Sequence, residues 1–151
     1  MMKTLVICES VHHGNTQKIA QAMAGELEAE VKRAVEVDPA DLVSYDLIGF
    51  GSGIYFAKHH GAIFDLLSRL EGLNKKVFIF STAAVLFTPF FHRAIKKRLR
   101  EVGGDIVGEF SCVGYDTYGI PRPVGGIHKG RPNAEDIGNA RDFARSLSGV
   151  G

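Results

Sequence analysis

Residues 3–20 read Lys3-Thr-Leu-Val-Ile-Cys8, then Glu9-Ser-Val-His-His-Gly-Asn-Thr16, then Gln17-Lys-Ile-Ala20. An apolar run of strand length gives way to a polar turn containing Gly14, after which Ile19, Ala20, Met23, Ala24 and Leu27 recur at helical spacing. The pattern predicts a strand, a turn and a helix. The turn carries hydroxyl, amide and imidazole groups and no carboxylate after Glu9. Its backbone N–H groups and the positive end of the helix dipole are therefore open to an anion, with phosphate the natural guest. The spacing is neither that of a Walker loop nor, with one glycine in the turn, that of a dinucleotide fingerprint. From these residues alone, a polar connection that binds nothing stays open beside the anion site.

Outward from this unit, strands and helices alternate. Residues 31 to 37 read as a second strand with one partly wet face, and Asp38-Pro39 opens a short helical turn reaching about Val43. Residues 46 to 53 form a third strand in which Gly49, Gly51 and Gly53 share one face, fitting either a close approach by a ligand or tight packing. Residues 54 to 61 read as a loop, and Ile63, Phe64, Leu66, Leu67 and Leu70 as the buried stripe of a helix. A fourth strand spans 76 to 81, and a loop spans 82 to 87. Thr88-Pro89 then opens a helix with Phe91, Ala94, Ile95, Leu99 and Val102 on its inner face. A fifth strand over 105 to 113 leads into a loop over 114 to 132, long enough to suggest a functional or mobile segment. Asn133 caps the last helix, whose stripe is Ile137, Ala140, Phe143, Ala144 and Leu147.

This alternation requires a doubly wound α/β fold: a five-stranded parallel sheet with helices on both faces. The first, third and fourth strands are continuously apolar and belong at the centre, while Lys32, Arg33, Glu36 and Glu109 mark the second and fifth as edges. The order 2-1-3-4-5 follows. Its ligand crevice lies where the winding reverses, outside the carboxyl ends of the first and third strands. Those ends carry the polar turn and a glycine-rich aromatic loop.

The 151 residues, 45% of them hydrophobic, suit a single domain spanning 1–151. With 18 Lys and Arg against 17 Asp and Glu, the balance argues against a polyanion-binding protein, so nucleic acid is not an expected partner. Two lone cysteines, Cys8 and Cys112, fit reduced, buried packing and hence a cytoplasmic location. Neither a signal peptide nor a membrane-spanning run is expected. No carboxylate or cysteine stands at ligand spacing from His59-His60, so no metal site is expected.

The element order, the Ser10-x-x-x-Gly14-Asn15-Thr16 turn and the loop Gly51-Ser-Gly-Ile-Tyr-Phe56 together resemble the flavodoxins, in their short-chain form, over essentially the whole chain. The resemblance implies bound FMN and electron transfer between redox partner proteins by a monomer or weak homodimer. It places the FMN phosphate on Ser10, His12, His13, Gly14, Asn15 and Thr16. The flavin ring falls between two loops: Ser52, Gly53, Ile54, Tyr55, Phe56 and Ala57 after the third strand, and Ser81, Thr82, Ala83 and Phe87 after the fourth. Tyr55 or Phe56 would stack on the ring, and the backbone at Phe56-Ala57 would respond to its reduction. Phe87 either stacks as well or packs with Phe90 and Phe91.

The chain departs from the family at three places. His12 and His13 stand where hydroxyl residues are usual, the loop after the fourth strand lacks the acidic, tyrosine-containing sequence, and the near-neutral charge removes the usual acidic docking face. Arg93, Lys96, Lys97, Arg98 and Arg100 instead make one helix basic, either as a solvated face or as a docking site. Gly51-Ser-Gly-Ile-Tyr55 followed by His59-His60 also looks like the corresponding loop of flavodoxin-like protoporphyrinogen oxidases. That keeps open an FMN oxidoreductase acting on a quinone, a porphyrinogen or another small molecule. Two further readings are a receiver domain, which would need an aspartate where Gly51-Ser52-Gly53 stands, and a cofactor-free interaction domain.

Overall fold

The computed structural model describes residues 2–10, 14–83, 88–114 and 130–149. Five parallel strands, β1 (Thr4–Glu9), β2 (Glu30–Lys32), β3 (Leu47–Tyr55), β5 (Lys75–Ala83) and β6 (Gly104–Val113), run in the order β2-β1-β3-β5-β6. This is the expected doubly wound order. A short β4 (Lys58–His59) pairs antiparallel with the end of β3. Alternation along the central strands sends residues to opposite faces, each with its own core. Ile48, Phe50, Val77 and Ile79 pack beneath α2 (Gly61–Ser68) and α4 (Arg93–Glu101). Val6, Cys8, Phe78 and Phe80 pack beneath α1 (Asn15–Leu27) and α5 (Ala134–Leu147). The last helix starts as its sequence predicts: the Asn133 side chain accepts from Asp136 N–H at 3.0 Å, and Asp136 accepts from Asn133 N–H at 2.8 Å.

Three expectations need correction, and one open alternative is decided. The second strand ends at Lys32, because the buried Glu9 carboxylate accepts the Ala34 N–H at 2.9 Å and Arg33 at 3.3 Å, pulling the chain out of the ladder into a 3-10 turn over Ala34–Glu36. The segment 54 to 61 is no loop: Ile54 pairs with His59 and Tyr55 with Lys58 in a hairpin. The helix opened by Thr88 divides into α3 (Thr88–Phe91) and α4, Ala94 is exposed, and His92 is fully buried beside Ile95 and Leu99. The glycine face of β3 is filled by packing, since a Cβ at Gly49 would lie 2.2 Å from the Phe78 ring and one at Gly51 2.1 Å from the Phe80 ring.

Candidate functional site at the carboxyl edge of the sheet

β1 runs into Ser10, and Gly14 at φ 62° ends the turn and starts α1. That left-handed conformation is easy only for glycine. The Gly14 N-cap provides no side-chain acceptor, and the first turn of α1 holds no acidic residue. The positive helix end is therefore not neutralised from its own first turn. Ser10 Oγ accepts from Gln17 N–H at 3.3 Å, which leaves the hydroxyl its own proton to donate. Thr16 Oγ1 and Thr82 Oγ1 lie 2.8 Å apart and buried, tying α1 to the end of β5. One proton is used between these two hydroxyls and the other remains available. Asn15 lies over Gly114, where a Cβ would come 2.6 Å from Asn15 Nδ2. His12, His13 and Phe87, and most of the 114 to 132 loop, lie outside the described residues.

The second side of the crevice is the β3–β4 hairpin. Phe56 and Ala57 form its turn with φ of 51° and 66°, a doubly left-handed conformation that ordinarily calls for Asn-Gly. Phe56 is 89% exposed, so this unfavourable conformation displays an aromatic ring to solvent. Tyr55 folds back over Gly53, its hydroxyl 2.9 Å from the position of a Gly53 Cβ, and meets the His60 ring edge-on at 5.4 Å. Ser52 Oγ accepts from His60 N–H at 2.9 Å and donates to the Gly53 carbonyl at 2.5 Å. His60 Nδ1 in turn accepts from Ala62 N–H at 2.9 Å and caps α2. Ile54, Ala57 and Ala83 are half-buried along this edge.

Ser81 turns away from this edge. Its Oγ lies 2.7 Å from His92 Nε2, and His92 Nδ1 lies 2.9 Å from Glu109 Oε1. Lys96 Nζ holds the other carboxylate oxygen at 2.8 Å. Ser111 Oγ is 3.2 Å from Ser81 Oγ and accepts from Thr88 Oγ1 at 2.9 Å. Burial pushes the His92 pKa below its usual value against the opposing pull of Glu109. Burial pushes the Glu109 carboxyl up, but Lys96 and His92 donating to it hold it below the usual carboxylate range. The His59 ring lies tilted by 57° against His92 with centroids 5.0 Å apart, donates from Nε2 to the Phe80 carbonyl at 2.9 Å, and is pushed down to about 3 by burial and by His92. Reading the sequence for motifs missed His92 and Glu109, because they stand on a helix and an edge strand and converge only in space. The signal available was a histidine four residues after Thr88, on the helix face that buries Ile95 and Leu99.

The two cysteines are buried and unpaired, with both thiols pushed up to about 12 by burial, so they remain protonated packing residues. Among the described residues no helix is long and apolar enough to cross a membrane.

Comparison with known proteins agrees with this geometry. A flavodoxin domain model matches residues 5–107. An uncharacterised protein of Methanocaldococcus jannaschii is 48% identical over 147 residues, covering 97% of this chain and 98% of its own length. A flavodoxin from the domain Archaea superposes with a TM-score of 0.72 at 16% identity, covering 99% of this chain and 98% of that one. Flavodoxin 2 of Bacillus cereus gives 0.71 at 20% identity, covering 99% of each chain. A flavoprotein of Lactobacillus acidophilus in complex with FMN gives 0.61 at 20% identity, covering 74% of this chain and 93% of that one. Sheet order, crevice and family model agree, and the chain belongs to the flavodoxin family.

Proposed function

We propose that the crevice holds FMN and that the protein carries electrons between redox proteins in the cytoplasm, as a monomer or weak homodimer and without a nucleic-acid partner. The observation that carries this reading is the meeting, at one edge of the sheet, of an unneutralised helix start behind Gly14 and a hairpin that displays aromatic rings. The donors suit a terminal phosphate: first-turn N–H groups of α1, the free proton of Ser10, and the one left over from the Thr16–Thr82 pair. Tyr55 and Phe56 offer faces for the isoalloxazine ring, while Ser52 and His60 fix the hairpin that carries them. FMN supplies the redox chemistry, and the protein supplies position and electrostatics. Bound flavin should show a perturbed visible spectrum and quenched fluorescence when FMN is added to the purified chain. A chain that leaves both unchanged would instead be a cofactor-free interaction domain.

A second reading, a flavin oxidoreductase acting on a small molecule, is favoured by one observation. The Ser81–His92–Glu109 alignment puts a buried acid–base group on β5, the strand whose Thr82 and Ala83 reach the crevice, which a carrier of electrons alone does not need.

A further inference from the structure

Glu109 and the shortest contact at each step orient the hydrogen bonds around His92, whose Nε2 lies 2.7 Å from Ser81 Oγ and 3.4 Å from Ser111 Oγ. Glu109 is a carboxylate and accepts, so His92 Nδ1 carries a proton. The neutral ring then has a bare Nε2, which accepts the Ser81 hydroxyl proton at 2.7 Å. Ser81 has spent its proton, so Ser111 donates to it, and Thr88 donates to Ser111. Ser81 and Ser111 each accept one bond and donate one, and Thr88 donates one. The chain runs from the interior outward: His92 and Ser81 are buried, while Ser111 and Thr88 are half-buried. Thr88 opens α3 and bonds to Ser111, which pairs with Ser81 near the carboxyl ends of β6 and β5, the edge to which Thr82 and Ala83 lead.

We propose that Thr88, Ser111, Ser81 and His92, anchored by Glu109, form a relay that carries one proton between the buried imidazole and the crevice, fitting it to quinones and related molecules that gain or lose hydrogen with their electrons. This deepens the oxidoreductase reading and rests on the flavin assignment. The neutral-ring arrangement is the discharged state. In the charged state, loaded from water through the same hydroxyls, His92 is an imidazolium held by Glu109, its Nε2–H donates to Ser81, and every hydroxyl points the other way. Discharge passes the Nε2 proton to Ser81, the Ser81 proton to Ser111, the Ser111 proton to Thr88 and the Thr88 proton to a carbonyl oxygen in the crevice. The hydroxyls finish in the neutral-ring arrangement, with no unpaired group left behind. For a quinone the balance closes: bound reduced flavin would supply two electrons and one proton together as a hydride, the relay supplies the second proton, and the hydroquinone leaves.

The groups facing His92 set its charge. Glu109 on β6 favours the imidazolium, and Lys96 on α4 opposes it from the far carboxylate oxygen. His59 on β4 stays neutral, and Ser81, Ser111 and Thr88 adapt to either state. Burial lowers the pKa on balance, so the neutral ring persists to lower pH than in an ordinary histidine and the charged fraction falls further as pH rises.

The test compares native protein, Ser111→Ala, Ser111→Thr and Thr88→Val, loaded with FMN and reduced, in single-turnover reoxidation. Menadione must gain protons, whereas ferricyanide takes electrons only. The relay predicts a roughly 100-fold slower reaction with menadione in Ser111→Ala and Thr88→Val, in the range of general acid catalysis. It also predicts loss of the native decline with rising pH, recovery in Ser111→Thr, and an unchanged rate with ferricyanide. Equal losses with both oxidants, or a pH profile surviving in Ser111→Ala, would reduce the network to a structural clasp. A second measurement needs no flavin: entry of deuterium into the Ser81–His92 bond, followed through the His92 Nε2 signal by nitrogen NMR. Tenfold slower entry in Ser111→Ala supports the relay, and unchanged or faster entry overturns it. Failure of the chain to take up FMN would overturn the flavin assignment and leave this second measurement to decide the relay.

Discussion

At the scale of single residues, His59 shows how burial fixes a charge state. Its ring is enclosed, its Nε2–H bonds to a carbonyl, and its buried Nδ1 has no partner among the described residues. The folded protein holds this histidine neutral down to about pH 3, whereas the unfolded chain takes up a proton below about pH 6.5. A folded pKa below the unfolded one means that stability is complete above pH 6.5 and declines as pH falls toward 3. Between pH 7 and pH 5 this one group should cost about 2 kcal/mol, and His92, shifted the same way, adds to the decline. Denaturant melts at pH 7 and pH 5 should therefore differ less for His59→Gln, whose amide can still donate to the Phe80 carbonyl without titrating. An equal loss in both proteins would contradict this assignment. Gly51 is bounded on the packing side, because the Phe80 ring occupies the space of a Cβ. Gly51→Ala should cost about 1–3 kcal/mol in the same melts, and an unchanged midpoint would show that the ring can move aside freely.

At the scale of elements, the β3–β4 hairpin holds two successive left-handed residues without glycine or asparagine at either. A turn of that type is worth on the order of 1 kcal/mol more with suitable residues. The double variant Phe56→Asn/Ala57→Gly should thus raise the melting temperature of the cofactor-free chain while weakening FMN binding, since the exposed ring goes with it. Binding kept at native strength would remove Phe56 from the site and leave Tyr55 as the stacking candidate. This hairpin was not legible in the sequence, because Phe-Ala carries no turn signal and the paired segment is two residues long. The break after Lys32 was hidden for a different reason, since the carboxylate that captures Ala34 belongs to β1 and meets it only in the fold. By contrast, the β1–turn–α1 unit and the capped start of α5 were readable, because their signals are local: an apolar run, Gly14, and Asn133 three residues before Asp136.

At the scale of the whole molecule, sheet order was readable because edge strands admit charge and central ones do not, and the crevice followed from that order. Side-chain networks across elements were not, and the Ser81–His92–Glu109 chain is the main one gained from the structure. Charge is distributed unevenly: α4 exposes Arg93, Lys97 and Arg100 beside the hairpin, while Lys96 is committed to Glu109 and Arg98 to Glu101. If this face guides an electron-transfer partner, electron exchange with an acidic protein should slow with added salt, and Lys97→Glu/Arg100→Glu should abolish that dependence without changing FMN affinity. The central claim is that the start of α1 is a phosphate site, and the dissociation constants of FMN and riboflavin, measured side by side by fluorescence quenching, test it most directly. The account predicts FMN binding at least about 100-fold tighter, roughly 2.7 kcal/mol for the charge-assisted bonds to the phosphate; equal constants for the two flavins would contradict it.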